Sequence, residues 1–296
     1  MNDEKYFLIV NLIAGQGRCK AAFPRVQHAL ERARIPFDVH YTNEPLEAID
    51  AARMGVEAGF RNIVAMGGDG TINEVANGLV GRAAVLGVIP AGKGNDFARM
   101  MGIPSDPVTA ARALPRAVEK TVDLGRVGAD RHFVNGLGMG IDAQVARDVL
   151  AMEHLRGAPA YLYAAVKEVF RFSAFPVHIA TASGEQTMNC LSLGVANGKF
   201  CGGGFMLAPR AEVADGLIDV AAIGDFPKLE RLIRLPQARA GKHLSLSQVR
   251  YEQTARATIS SEAKLIAHMD GEPYELPKAS FDVSIVPGAL KVLVPV

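Results

Sequence analysis

The chain has 296 residues, of which 49% are hydrophobic and 21% are charged, so it is long enough for two domains with hydrophobic cores. Its 32 basic and 31 acidic residues leave a formal net charge of +1, whereas nucleic-acid binders usually carry a clear basic excess. The three cysteines lie far apart, which argues against zinc ribbons and disulfide frameworks. We therefore expect a globular protein of a reducing compartment, with no nucleic-acid partner.

The N-terminal residues run directly into an apolar segment and lack the basic region of a signal peptide. No apolar run approaches the ~18 residues that a membrane-spanning helix needs. We therefore predict a cytoplasmic protein that meets lipid only from outside the bilayer, at the inner face of the membrane.

Roughly the first 120 residues alternate between strand and helix patterns. Amphipathic stretches predict helices near 20–34, 45–59 and 71–80. Short, nearly continuous apolar runs predict buried strands at Tyr6–Leu12, Phe37–Tyr41, Ile63–Met66 and Val85–Ile89. This alternation predicts an N-terminal parallel α/β domain over residues 1–125, in which ligands bind at the carboxyl ends of the strands.

Beyond about residue 125 the pattern changes to short strands separated by turn residues, with a helical insert at 142–172. It predicts a β-rich, sandwich-like domain over 126–286. A closing strand at Leu290–Pro295 allows residues 287–296 to complete the first domain. The predicted strands of the second domain are Arg131–Asn135, Pro176–Ala182, Met188–Ala196, Gly216–Ile223, Ala257–Ser260, Leu265–Met269 and Phe281–Val286.

The segment Gly67–Val75 lies where a buried strand ends and a helix begins. Its three glycines remove side chains, so that backbone N–H groups can surround phosphate oxygens at a helix N-terminus. Asp69 is a candidate metal ligand, and the Thr71 hydroxyl is a candidate phosphate ligand. The same residues have a structural alternative, because Thr71 and Glu74 form a capping box.

Other common motifs are absent or misplaced. None of the Gly-Lys pairs is followed by Ser or Thr, so there is no Walker A loop. Residues 138–143 satisfy GxGxxA but have no acidic residue about 20 positions later, which argues against a Rossmann site. Histidine and cysteine show no metal-ligand spacing, and we expect the scattered histidines to be buried with partners or exposed.

The motifs resemble those of the diacylglycerol kinase catalytic family, in its bacterial soluble branch. The resemblance spans nearly the whole chain, with the motifs in the expected order. They are NLIAGQGR at 11–18, GGDGTINEVANGL at 67–79, IPAGKGNDFAR at 89–99, DGLID at 215–219 and MDGE at 269–272.

This resemblance implies ATP as cosubstrate and Mg²⁺ as cofactor. It implies catalytic roles for Glu272, as general base, and for Asp69. Asp69, Asp96 and Asp123 match acids that organise the catalytic Mg²⁺ through water, and Glu212, Asp215 and the Leu217 carbonyl match a structural metal site. The implied nucleotide-binding residues are Thr42, Gly67, Gly68, Asp69, Gly70, Thr71, Ile72, Asn73 and Lys93.

Two positions depart from the family pattern: Lys93 replaces a nucleotide-contacting threonine, and Leu12 replaces a proline. Lys93 is either a phosphate ligand or a solvent-facing lysine. Without the resemblance, Glu272 is equally explained as part of a turn, Asp96 as a helix cap and Asp123 as an acid at a strand edge.

Two segments are candidates for contact with lipid. Residues 228–242 carry five basic residues and one acid, hence 5 − 1 = +4, and Leu229, Leu232, Ile233 and Leu235 give an apolar side before Pro236 interrupts the helix. An ordinary surface helix is the alternative. The 142–172 insert is the second candidate, and the alternative is that its apolar residues belong to the core. These residues are Leu150, Met152, Leu155, Tyr161, Leu162, Tyr163 and Phe170.

We therefore predict an ATP-dependent lipid kinase that acts peripherally at the membrane on diacylglycerol or a related lipid, with homodimerisation open. One alternative is a kinase of the same superfamily that acts on NAD or a sugar phosphate. Another is a catalytically idle lipid-binding protein. The sequence does not identify the lipid.

Overall fold

The computed structural model describes residues 2–152 and 158–296 and divides the chain into two units. Unit 1 comprises residues 1–124 and 287–296, and unit 2 comprises residues 125–286. Strand β5 (Val118–Val127) carries the chain from unit 1 into unit 2, and the last strand returns it. The protein is therefore a mixed α/β chain whose C-terminal residues belong to its N-terminal unit.

Unit 1 is built on a parallel sheet in the order β15–β4–β3–β1–β2. Its strands are β1 (Asn2–Val10), β2 (Phe37–Tyr41), β3 (Phe60–Gly67), β4 (Val85–Pro90) and part of β15 (Ser280–Val294). Its helices are α1 (Arg18–Arg32), α2 (Glu47–Glu57), α3 (Asp69–Leu79), α4 (Asp96–Met100) and α5 (Pro107–Ala113), followed by a short 3₁₀ turn (Leu114–Arg116).

The four predicted N-terminal strands are all present in unit 1. Strands β3 and β4 are almost wholly buried, as expected for a parallel sheet covered on both faces. The first strand ends at Val10 rather than Leu12. The Asn11 N–H still donates to Met66 O at 3.1 Å, and its side-chain amide donates to Thr71 Oγ1 at 3.2 Å. Helix α5 was not predicted, since it spans only about two turns, and α4 was foreseen only in the alternative that makes Asp96 a helix cap.

Unit 2 is antiparallel. Its strands pair in the order β14–β13–β7–β9–β8–β12–β15, with β10 and β11 continuing from β9 and β6 pairing with β5. They are β6 (Arg131–Phe133), β7 (Gly136–Gly140), β8 (Phe175–Thr181), β9 (Gly184–Ala196), β10 (Ile218–Gly224), β11 (Val249–Thr254), β12 (Arg256–Ser260), β13 (Ala267–Met269) and β14 (Glu272–Tyr274).

The core of unit 2 is formed by alternating side chains of these strands, including Leu137, Val195, Val220 and Ile259. Strands β5, β7, β11 and β14 were not predicted. Strand β14 is three residues long, β7 is rich in glycine, and β5 and β11 carry many polar residues. The GxGxxA segment lies on β7, whose neighbours are antiparallel, so it does not belong to a parallel dinucleotide-binding unit.

The helices of unit 2 correct two predictions. The 142–172 insert is two helices, α6 (Ile141–Leu150) and α7 (Ala158–Arg171), and Leu155 lies outside the described residues. Helix α8 (Lys228–Arg239) continues through Pro236, which was expected to interrupt it. The Arg234 side chain donates to Gln237 Oε1 at 3.1 Å, across the position of the proline, and to Glu230 one turn earlier. A 3₁₀ turn (His243–Ser245) follows.

No helix in residues 2–152 or 158–296 is long and apolar enough to cross a membrane.

Candidate functional site

The glycine-rich turn of unit 1 joins buried strand β3 to helix α3. A Cβ on Gly67 would overlap the Thr71 side chain, so position 67 accepts no side chain. Gly68 caps α3 in an extended conformation, with φ −95° and no side-chain capping bond. The backbone at the start of this helix is therefore available to an anion, as helix N-termini generally are.

The loop that follows β4 packs directly against this turn. The Ala91 N–H donates to Gly67 O at 2.7 Å, and a Cβ on Gly92 would lie 2.5 Å from Gly68 Cα. Asn95, with φ +51°, accepts the Gly92 N–H at 2.9 Å and holds the loop in shape. Two neighbouring strands thus end in loops that touch backbone to backbone.

A cleft of about 730 Å³ opens beside these loops within unit 1. It is lined by the start of α1, by residues 90–95 and by the region before α5, and the basic residues among its lining are Arg18, Arg25, Lys93 and Arg99. Arginine and lysine are the side chains that proteins use most for phosphate groups. The cleft therefore has the charge that a polyphosphate requires.

Among the described residues that line this cleft, Lys93 is the single predicted nucleotide residue, and residues 67–73 lie behind the loop that lines it. Lys93 is exposed and lines it. Ile72 and Asn73 are buried, so their contribution to a ligand is limited to the backbone. Thr42 is buried after β2, where its N–H donates to Val10 O at 3.1 Å, and it does not line the cleft.

The structure brings two of the three predicted magnesium-site acids together. Asp69 accepts the Phe97 N–H at 3.3 Å, next to Asp96 at the start of α4. Asp96 is buried, and its Oδ1 accepts a hydrogen bond from Arg99 Nη1 at 2.8 Å. Carboxylates are ligands that Mg²⁺ prefers, so the chemistry of Asp69 and Asp96 fits a magnesium site.

Asp123 is placed differently from the other two acids. It is buried on β5, where its carboxylate accepts the Gly288 N–H at 2.7 Å. Position 123 therefore links β5 to β15 within unit 1.

The predicted structural metal turn lies between β9 and β10. Glu212 and Asp215 are exposed, and Asp215 accepts the Leu217 N–H at 3.0 Å. Behind them Asp219 is fully buried, and its Oδ2 has no hydrogen-bond partner. Burial raises the pKa of Asp219 to about 6. The hydrogen bond that the Tyr251 hydroxyl donates lowers this pKa, and repulsion by the negative charge of Asp215 raises it. A hard cation at this turn would offset that repulsion, so the residues fit a metal ion.

In unit 2, Glu272 begins β14 and is exposed. The turn before it is held by Asp270, which is buried and has φ +49°. Its two carboxylate oxygens accept three backbone N–H groups, those of residues 134, 135 and 136, each at 2.8 Å. The sequence motif predicts a role for Glu272 but reveals none for Asp270, whose partners lie about 135 positions away in the chain.

A second contact on this turn comes from His268. Its Nδ1 accepts the Gly271 N–H at 3.3 Å, so the ring proton is on Nε2, which lies 3.0 Å from Asp142 Oδ2 and 3.5 Å from Cys201 Sγ. The three ligand atoms lie within 4.8 Å of one another. A metal at Nε2 would need a proton on Nδ1 instead, facing the Gly271 N–H. The cluster therefore holds the turn, and His268 is buried with hydrogen-bond partners, as expected from the sequence.

The comparisons with known proteins agree with this arrangement. Residues 5–127 match the diacylglycerol kinase catalytic domain, and residues 135–294 match the YegS C-terminal NAD kinase beta sandwich-like domain. The fold and its glycine-rich turn thus define a two-domain chain of the kinase class.

Relatives narrow the class further. A "Probable lipid kinase YegS-like" of Chromohalobacter salexigens is 31% identical, covering 93% of this chain and 90% of the relative. A "Diacylglycerol kinase" of Mycobacterium tuberculosis is 31% identical, covering 98% and 95%. A crystal structure of a putative diacylglycerol kinase from Bacillus anthracis shares the fold, with a TM-score of 0.78 at 22% identity over 99% and 98% of the two chains. The chain belongs to the bacterial family of diacylglycerol kinases and YegS-like lipid kinases.

Proposed function

We propose that this protein is an ATP-dependent lipid kinase that transfers the γ-phosphoryl group to a hydroxyl of diacylglycerol or a related lipid. The observation that carries the proposal is the glycine-rich turn after β3, which has no room for a side chain at Gly67 and packs against a loop that lines a basic cleft. Membership of a lipid-kinase family supports the nature of the acceptor.

The nucleotide phosphates are proposed to bind the backbone of Gly67–Asn73, with Thr42 near the nucleotide. Lys93 supplies a point charge, since it lines the same cleft as Arg18 and Arg25. Its replacement of the family's threonine therefore retains a group that attracts phosphate.

Mg²⁺ is the cofactor that the family implies, and it would neutralise charge on the transferred phosphate. Asp69 and Asp96 would hold it through water, together with Asp123. A second cation would bind the turn of Glu212, Asp215 and Leu217 in a structural role.

Glu272 is proposed as the general base. The lipid hydroxyl gives its proton to the carboxylate while its oxygen bonds to the γ-phosphorus, and the bond to the β–γ bridging oxygen breaks to release ADP. The exposure of Glu272 leaves its carboxylate accessible, and the contacts of Asp270 and His268 hold the turn that presents it.

A lipid hydroxyl is available only where the lipid resides. We propose that the protein works peripherally, on the cytoplasmic face of the membrane.

The test is a transfer assay with γ-labelled ATP, Mg²⁺ and mixed vesicles that contain a panel of hydroxyl lipids, with NAD and sugar phosphates in parallel. We expect the label in the organic phase, on a lipid identified by mass spectrometry. Label on NAD or a sugar phosphate alone would replace the lipid with a soluble acceptor. Binding to liposomes with no transfer to any acceptor would identify an idle lipid-binding protein.

A further inference from the structure

Helix α7 reverses the arrangement of an ordinary surface helix. Its inward side includes Ala160 and Ala164, which cluster with Val149 of α6. Its outward side carries large apolar residues, three of them spaced four apart and therefore on one face. These exposed residues are Leu162, Tyr163, Val166 and Phe170.

Helix α1 of unit 1 shows the usual pattern in the same chain. It buries Phe23, Val26 and Leu30 and exposes Arg25 and His28. A helix normally buries its large apolar residues because their removal from water stabilises the fold. The outward residues of α7 do not contribute in this way, which points to a partner outside the chain.

Helix α8 carries a second exposed apolar pair. Leu229 and Ile233 lie one turn apart and are 72% and 66% exposed. On the opposite side, Arg231 is buried and donates to the carbonyls of Val169 and Phe172, at 2.9 and 2.8 Å. These bonds attach α8 to the C-terminal end of α7, so the two apolar surfaces belong to neighbouring helices.

Exposed apolar residues are concentrated on these helices. In the described part of the chain, thirteen large hydrophobic residues are exposed, and seven of them lie on α6, α7 and α8. Single exposed residues are normal, but a concentration of this kind marks an interaction surface.

The charge beside this surface indicates the partner. Lys228, Arg239 and Lys242 are exposed, and residues 228–242 carry a net charge of +4 from five basic residues and one acid. A second copy packed symmetrically on α8 would place two such segments together and repel. An anionic lipid surface instead attracts basic residues and accepts apolar side chains.

We propose that Leu162, Tyr163, Val166, Phe170, Leu229 and Ile233, here called the apolar face, insert into the headgroup boundary of an anionic bilayer. Lys228, Arg239 and Lys242 attract that bilayer. The inference deepens the proposed lipid-kinase function by naming the surface that docks, and it states which lipid charge the surface selects.

The test measures vesicle binding without ATP, so its outcome is independent of phosphoryl transfer. Sedimentation with phosphatidylglycerol–phosphatidylcholine vesicles is compared for the full-length protein and for the double variants Leu229→Ser/Ile233→Ser and Leu162→Ser/Phe170→Ser. We expect each double variant to lower the partition coefficient about tenfold or more, since two apolar groups leave the interface. Lys228→Gln and Lys242→Gln are each expected to lower it about fivefold at low salt.

The matched control is Met54→Ser/Val118→Ser, which removes two exposed apolar residues from unit 1 and should bind vesicles like the unmodified protein. Unchanged melting temperatures show that the variants remain folded. The proposal is overturned if the unmodified protein ignores anionic vesicles, or if the double variants bind as well as it does. It is also overturned if light scattering shows a dimer that the double variants convert to a monomer while vesicle binding is absent.

Discussion

Two turns carry most of the proposed chemistry, and they are built in opposite ways. The turn at Gly67–Asn73 in unit 1 is shaped by missing side chains, and the close contact at Gly67 comes from Thr71, four residues later. The turn before Glu272 in unit 2 is shaped by a buried side chain, since Asp270 binds three N–H groups of a distant strand connection. The first turn should thus be sensitive to added atoms, and the second to the loss of a single carboxylate.

The largest expected effect comes from Glu272 itself. Glu272→Gln removes the proposed proton acceptor and should lower turnover by about 10²–10⁴-fold, the usual contribution of a general base. Since the residue is exposed, the fold and the affinity for Mg·ATP should persist. Transfer assays and calorimetric titration measure the two quantities.

Glu275→Gln is the matched control, because Glu275 is also exposed and lies three positions away. Equal turnover in the Glu272 and Glu275 variants would remove Glu272 from the proposed role and leave the turn without a catalytic purpose.

The next effect concerns the glycine-rich turn. Gly68 has an extended backbone, and an added Cβ would meet only Gly92 Cα, at 3.4 Å, so Gly68→Ala should fold. The methyl group would occupy space proposed for phosphate, and we expect Mg·ATP affinity to fall by about tenfold or more, or about 1.4 kcal/mol. Titration calorimetry with a parallel melting curve checks this.

Gly92→Ala is the comparison variant. Its Cβ would lie 2.5 Å from Gly68 Cα, so this substitution should also lower the melting temperature. Full Mg·ATP affinity in a folded Gly68→Ala protein would place the phosphates elsewhere.

Asp270→Asn tests the second turn. An amide has one acceptor oxygen, so at least one of the three N–H groups loses its partner, at a cost of about 1–3 kcal/mol. We expect the melting transition of unit 2 to fall by roughly 2–4 °C per kcal/mol. Asp130→Asn, an exposed loop residue, is the control. A melting curve that does not change would show that the turn is held by other contacts.

The smallest expected effect is on how the stability of unit 2 depends on pH. His243 is buried in unit 2, its Nδ1 has no hydrogen-bond partner, and burial lowers its pKa. The unfolded chain therefore takes up the proton first, so the stabilising contribution is present above the unfolded pKa of ~6.5 and is lost as the pH falls below it.

His243→Gln should flatten this dependence in the transition of unit 2, whereas exposed His28→Gln should leave it unchanged. Calorimetric melting between pH 5 and pH 8 measures both. Identical slopes in all three proteins would show that another group causes any loss of stability in acid.

The sequence by itself determined the parts of this protein that depend on neighbours in the chain. Continuous apolar strands identified β1 to β4, glycine spacing identified the turn between β3 and α3, and ordered motifs identified the kinase family. These signals are local, because strand burial and backbone freedom are expressed within a few residues.

Only the tertiary structure decided which distant groups meet. Asp142 and Cys201 reach His268 across 126 and 67 positions, and Asp270 reaches residues 134–136, with no spacing in the sequence to reveal either contact. The outward direction of Leu162 and Phe170 was equally hidden, since an apolar helix stripe has the same period whether it faces the core or solvent. Whether that stripe is buried or exposed depends on the tertiary packing.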